Sequence, residues 1–248
     1  MDRVIYIAMS GAKHTLEQQA AVAHNLANAA TNGFRAALHA FRAAPVIGDS
    51  ATQPTRAFVV ASDAGTDFRA GAMQATGRSL DVVVQGKGWI AVRDASGREA
   101  YTRDGSLEVG ANGILQTRTG YAVVGDGGTI AIPPNNSIAI GSDATVSLVP
   151  TDTTPNSVST AGRIKLVNPP ESALVRGEHG LFRMRDGRPA PADADLGLTS
   201  GALEGSNVNV VNAMVELISH ARQFDMQVRV MRTAEDAARE WSQVMNIA

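Results

Sequence analysis

Residues 5–33 read IYIAMSGAKHTLEQQAAVAHNLANAATNG. Within them Ile5, Met9, Ala12, Leu16, Gln19, Ala23 and Leu26 recur at alternating steps of four and three. That spacing lines one narrow seam of an α-helix, with a polar break at Gln19. Asp2 is placed to cap the start, and Thr31-Asn32-Gly33 to stop the helix, because glycine accepts a left-handed backbone. A two-in-seven seam is narrower than the apolar face of a helix lying on a globular domain. One such helix cannot bury its seam alone, so the stretch asks for a helical partner in the same chain or in neighbouring molecules.

The far end of the chain repeats the pattern. Val210, Met214, Leu217, Ala221, Phe224, Val228, Met231, Ala238 and Met245 follow helical spacing, interrupted by Glu235 and Ser242, with Ser206, Asn207 and Asn209 available as caps. Between the two ends the signal changes period. From Leu38 to Phe68 periodicity is weak, and Pro45, Gly48, Pro54 and Gly65 interrupt it. From Ser79 onward Leu80, Val82 and Val84 alternate, and Gly86-Lys87-Gly88 turns the chain into Trp89–Val92. Tyr101–Val109 and Ile114–Thr119 flank Gly110-Ala111-Asn112-Gly113, whose Asn-Gly pair signals a hairpin. Tyr121–Val124, Thr129–Ile132, Ser137–Ile140, Thr145–Val149, Gly162–Val167 and Leu181–Met184 continue the series across a Thr/Pro-rich loop at 151–160.

Many short strands without intervening helices predict an antiparallel sandwich or open barrel. The fold class is therefore α+β: a terminal helix over 1–35, an extended connector over 36–70, a mostly antiparallel β domain over 71–202, and a second terminal helix over 203–248. The two terminal helices would form a coiled-coil-like layer.

Catalysis finds little support. The chain has no Cys, which excludes disulfides, thiolate metal sites and Cys nucleophiles. A net charge of −2 offers no electrostatic footprint for nucleic acid. No run is long enough to span a bilayer, and the opening lacks the basic and apolar regions of a cleaved signal. Gly86-Lys87-Gly88-Trp89-Ile90-Ala91 fits a dinucleotide fingerprint, but the residues after it alternate like a strand, and that fingerprint needs a helix N-terminus for the pyrophosphate. Lys87 is read as a solvent-facing turn residue. Gly48-Asp49-Ser50 lacks the rest of a serine-hydrolase block, and Asp193 and Asp195 lack the glycine and distal Glu of a calcium loop. The five histidines, 14, 24, 39, 179 and 220, are scattered and show no His-Glu-x-x-His spacing. The expectation is no enzyme activity, no cofactor, no metal, no nucleic acid and no small-molecule substrate.

Four blocks resemble one family. Residues 23–35, Ala-His-Asn-Leu-Ala-Asn-Ala-Ala-Thr-Asn-Gly-Phe-Arg, are similar to the N-terminal signature of flagellar rod and hook proteins, A-N-N-L-A-N followed by T-x-G-F-K/R. Residues 201–212 resemble the matching C-terminal block G-x-L-E-x-S-N-V, while Gly86–Trp89 and Tyr101–Gly105 resemble G-x-G-F-F and Y-T-R-x-G-x-F. The departures are His24, Trp89 and Leu107 at positions where the family carries Asn, Phe and an aromatic residue.

The opening Met1–Ala12 looks most like a proximal rod subunit. The resemblance implies a structural subunit of the basal-body rod, exported by the flagellar type III apparatus without signal cleavage. It would assemble with itself and other rod subunits into the axial drive shaft within the cell envelope. On that reading the assembly interface comprises Ile5, Met9, Leu16, Asn25, Leu26, Asn28, Gly33, Phe34, Val210, Met214, Leu217, Phe224, Val228 and Met231. From the residues alone, Leu26 is seam core, Gly33 the helix stop and Phe34 an anchor, while Asn25 and Asn28 either cap the helix end or bond a neighbouring subunit. The alternatives are a distal rod or hook subunit, a secreted β-domain binding protein whose helices merely pack together, and a hydrolase on a β scaffold.

Overall fold

In the computed structural model the structure describes residues 2–45, 57–150 and 158–245. Gly48-Asp49-Ser50 and most of the Thr/Pro-rich loop lie outside the described residues. The chain divides into two compact units, one comprising Met1–Asn28, Ala37–Asp67 and Val208–Ala248, the other Ala29–Ala36 and Phe68–Asn207.

The first unit holds the two helices, α1 (Asp2–Ala27) and α2 (Val210–Met245), packed against each other. Asn209 caps α2: its Oδ1 accepts from the Asn212 N–H at 3.1 Å, a contact of about 1 kcal/mol. Where the sequence suggests an extended connector over 36–70, the chain forms a long antiparallel hairpin. Ala37–Pro45 pairs with Ala57–Thr66, with a register shift at Leu38/His39. Alanine-rich, weakly alternating strands carry little periodic signal, and that pairing is settled between segments rather than within one.

The second unit is mainly β, with two short 3-10 turns at Glu171–Ala173 and Glu178–Gly180, and its strand pairs are antiparallel. Its largest sheet runs in the order Leu174–Arg176, Phe182–Met184, Glu99–Thr102, Trp89–Arg93, Ala122–Gly125, Leu115–Thr117, Leu107–Val109. The strand Trp89–Arg93 shows why the sequence reads as a nearly unbroken apolar run. Ile90 and Val92, fully buried, enter one hydrophobic cluster with Val82, Leu107, Leu115 and Val146, while Trp89 and Ala91 enter another with Tyr101 and Phe182. Alternate side chains of a strand point to opposite faces, so both faces of this strand are covered. Fully burying a side chain the size of Ile90 contributes about 1.5–3 kcal/mol.

The Asn112-Gly113 turn joins Leu107–Val109 to Leu115–Thr117 as read from the sequence, with Gly113 at φ +73°. The expected strand Tyr101–Val109 is instead interrupted at Arg103–Ser106. There the Val82 N–H donates to the Gly105 carbonyl at 2.9 Å, and a Cβ on Gly105 would lie 1.7 Å from the Val82 carbonyl oxygen. The backbones meet at this point, and only glycine fits.

Gly86-Lys87-Gly88 leads into a strand, so no helix N-terminus is present to hold a pyrophosphate. Its two glycines serve different ends. Gly86 has φ +72° and open space around it. Gly88 is packed, and a Cβ there would meet a Leu196 methyl at 2.4 Å. Gly86→Ala is expected to lose about 1 kcal/mol through backbone strain alone. Gly88→Val should lose about 1–3 kcal/mol through overpacking. Chemical denaturation of the purified chain checks both values.

Candidate functional site: the helix pair and a buried arginine–glutamate clasp

Side chains of α1 and α2 sort into two sets. Ala12, Thr15 and Ala213 are buried, and Ile5, Ala8, Gln19, Leu26, Leu217, His220, Ala221, Phe224, Gln227, Val228 and Met231 are half-buried. The helices come closest at small residues: a Cβ on Gly11 would lie 2.9 Å from Gln227 Nε2, and Gln227 Nε2 donates to Thr15 Oγ1 at 3.4 Å. Small residues let the backbones approach closely, and larger ones would hold them apart.

Other large apolar residues of the two helices are left exposed. Tyr6, Ile7, Met9 and Leu16 are exposed on α1; Val210, Val211, Met214, Val215, Ile218, Met226, Val230 and Trp241 are exposed on α2. Of the residues expected at an assembly interface, Ile5, Leu26, Leu217, Phe224, Val228 and Met231 are half-buried within the chain. Met9, Leu16, Val210 and Met214 remain exposed.

The end of α1 is tied down locally. Asn25 Nδ2 donates to the Ala37 carbonyl and its Oδ1 accepts from the Ala37 N–H, both at 2.9 Å. One side-chain amide here substitutes for a strand partner. Asn28 Nδ2 donates to the His24 carbonyl at 2.9 Å, an oxygen that also accepts from the Asn28 N–H at 3.2 Å. Gly33 and Phe34 are buried within the β unit, so they present little surface to a neighbour.

Those two residues belong to a feature that the sequence reading missed. Glu204, 3% exposed, accepts from Arg35 Nη2 at 2.6 Å on Oε1 and from Arg103 Nη1 at 3.1 Å on Oε2. The Gly71 N–H donates to the same Oε1 at 3.0 Å, and the Gly33 N–H to the Glu204 carbonyl at 2.7 Å. Asn207 continues the join, with Oδ1 accepting from the Ala36 N–H at 2.7 Å and Nδ2 donating to the Arg69 carbonyl at 3.0 Å. Arg176 lies 5.1 Å over the Phe34 ring and 5.2 Å over the Phe182 ring, and donates to the Arg35 carbonyl.

Residues 33–36 and 204–207 are thereby held side by side. Burial pushes the Arg103 guanidinium down to about 10, with the Glu204 carboxylate opposing the shift and Arg35 adding to it. A signal was present in the sequence: Arg35, Arg103 and Glu204 each sit in a quoted motif block, and a charge surrounded by Gly and aromatic residues is a candidate for pairing. Among the described residues no cluster of His, Asp or Glu could hold a metal, and no helix is long and apolar enough to cross a membrane.

Three family profiles match, in chain order. Flagella basal body rod protein covers residues 5–35, flagellar hook protein FlgE/F/G D1 domain covers 83–166, and flagellar basal body rod FlgEFG protein C-terminal covers 199–244. The chain is 45% identical over 254 residues to flagellar basal-body rod protein FlgF of Escherichia coli, with all of both chains covered. It is 42% identical to that of Salmonella typhimurium over the same extent. It is 30% identical to flagellar basal-body rod protein FlgG of Bacillus subtilis, covering 97% of this chain and 98% of that one.

Proposed function

The chain belongs to the FlgF family of flagellar basal-body rod proteins, a structural and non-enzymatic family, and on that premise we propose that its exposed helix faces are the surfaces through which rod subunits polymerise. Membership implies assembly with other rod subunits. Contact with further copies of itself, a place in the proximal rod, transmission of torque along the shaft, and delivery by the flagellar type III apparatus without signal cleavage belong to the same proposal. So does a periplasmic position for the assembled segment.

The observation that carries the reading is the apolar stripe left uncovered on α2. Val211, Val215 and Ile218 are 69%, 61% and 52% exposed, and Met226 follows on the same helical period at 59%. On α1, Met9 and Leu16 are seven residues apart and share one face. A polymer that packs such helices around a common axis would bury both stripes by the coiled-coil logic that a single chain satisfies only on its inner seam.

Met214→Asp tests it. Met214 is 50% exposed, so the purified chain should melt within about 0.5 kcal/mol of wild type. In a strain lacking the gene, the variant should fail to restore motility and be absent from isolated basal bodies, because assembly would dry an unpaired carboxylate. Full motility with Met214→Asp would remove this face from the interface.

A further inference from the structure

The β unit contains a cavity of about 590 Å³. Phe68, Trp89 and Pro170 supply apolar wall, and Lys87, Arg103 and Glu171 supply charge. Arg103 is 6% exposed, and its Nε is buried without a hydrogen-bond partner. Its other nitrogens are held by the Val84 carbonyl, the Gly86 carbonyl and Glu204. Behind it the charge is out of balance. Arg35 and Arg103 share the one carboxylate of Glu204, with Arg176 beside Arg35, and Nε and Nη1 of Arg35 and Nε of Arg176 are likewise buried and unsatisfied.

Trp89 takes up part of this excess, its ring lying 5.9 Å from the Arg35 guanidinium and 5.6 Å from that of Arg103. A ring quadrupole is a weak substitute for an anion, and unpaired buried cations are costly. At the mouth, Lys87 Nζ is 3.1 Å from Glu171 Oε1, with side chains 83% and 50% exposed. We propose that this cavity is a binding site for an acidic peptide segment. One carboxylate is drawn towards the Arg103 end, and flanking aliphatic or prolyl residues lie on Trp89 and Pro170. The volume is that of a site for a few residues rather than a bare ion, and aromatic and proline walls suit an extended backbone. Lys87 would turn from Glu171 to the incoming carboxylate, making Glu171 an internal competitor. The inference stands apart from the helix-assembly proposal, and it is read on the isolated chain.

The experiment uses the full chain with Trp241→Phe, so that Trp89 is the sole indole; Trp241 is 63% exposed on α2. Indole emission is followed during titration with the blocked peptide acetyl-Ala-Pro-Asp-Ala-amide, its Asn counterpart, sodium acetate and inorganic phosphate. The expected result is a saturable change with the Asp peptide and at least about tenfold weaker binding of the Asn peptide. Lys87→Glu should weaken the Asp peptide by about fivefold or more, and Glu171→Gln should tighten it, with melting temperatures unchanged. Opposite signs from two exposed residues would not arise from a structural defect. Equal affinity for the Asp and Asn peptides overturns the proposal, as does an equal response to acetate or phosphate, or indifference to both variants.

Discussion

Glu204→Gln should destabilise the β unit by about 3–5 kcal/mol, a fall of roughly 6–20 °C in its melting temperature. The substitution is nearly isosteric, and the Glu204 carbonyl can still accept from the Gly33 N–H. What disappears is the negative charge shared by Arg35 and Arg103, side chains 1% and 5% exposed. Two guanidiniums then remain buried without a counter-ion, next to Arg176. Arg35→Met should cost markedly less, because it removes one of the excess cations and leaves Glu204 paired with Arg103. That asymmetry is the signature of a charge-poor clasp. Guanidinium denaturation of the two variants measures it, and a Glu204→Gln loss below about 1 kcal/mol would show that the pair is not sustaining the fold.

Gly33→Val should cost at least about 4 kcal/mol, enough to leave the β unit largely unfolded at growth temperature. Two separate terms add. The residue sits at φ +67°, which a branched side chain tolerates poorly. A Cβ would also lie 2.3 Å from the Arg103 carbonyl carbon and 2.4 Å from the Asp104 nitrogen, both backbone atoms that cannot rotate away. Gly33→Ala meets the same clash at its first side-chain atom, so it should lose most of the same stability. Gly86→Ala, at a similar φ but with nothing nearby, isolates the strain term. A Gly33→Ala cost no larger than that of Gly86→Ala, in parallel melts, would rule out the close approach.

Much of this architecture was legible before any coordinates. The heptad spacing located both helices, and Asn112-Gly113 located a hairpin. Phe34 was read as an anchor and is 6% exposed. The choice of seam was less legible. Sequence reading favours large apolar residues, so Met9 and Leu16 were placed with Ala12; in the fold Gly11 approaches Gln227 and Ala12 and Thr15 are buried, while Met9 and Leu16 stay exposed. A helix with apolar residues on both its packed and its exposed faces carries two overlapping stripes, and one period cannot separate them.

Gly33 was read as a helix stop, yet α1 ends at Ala27 and the residue serves a backbone contact instead. Strands such as Met73–Ala75 and Ala202–Glu204 were missed because they are three residues long and each depends on the other, with over a hundred residues between them. The clasp was missed for the same reason. Its members were all in view, but nothing local to Arg35 shows that its counter-ion is Glu204.

That separation governs the order in which the molecule can be completed. Arg35 and Glu204 are 169 positions apart, so closing the clasp costs the entropy of a very long loop. A chain that emerges from its N-terminus cannot begin to close it until residue 204 is free. Until then Arg35 is a solvated cation and Gly33 has no carbonyl to meet. The join between residues 33–36 and 204–207 is therefore among the last contacts the chain can make.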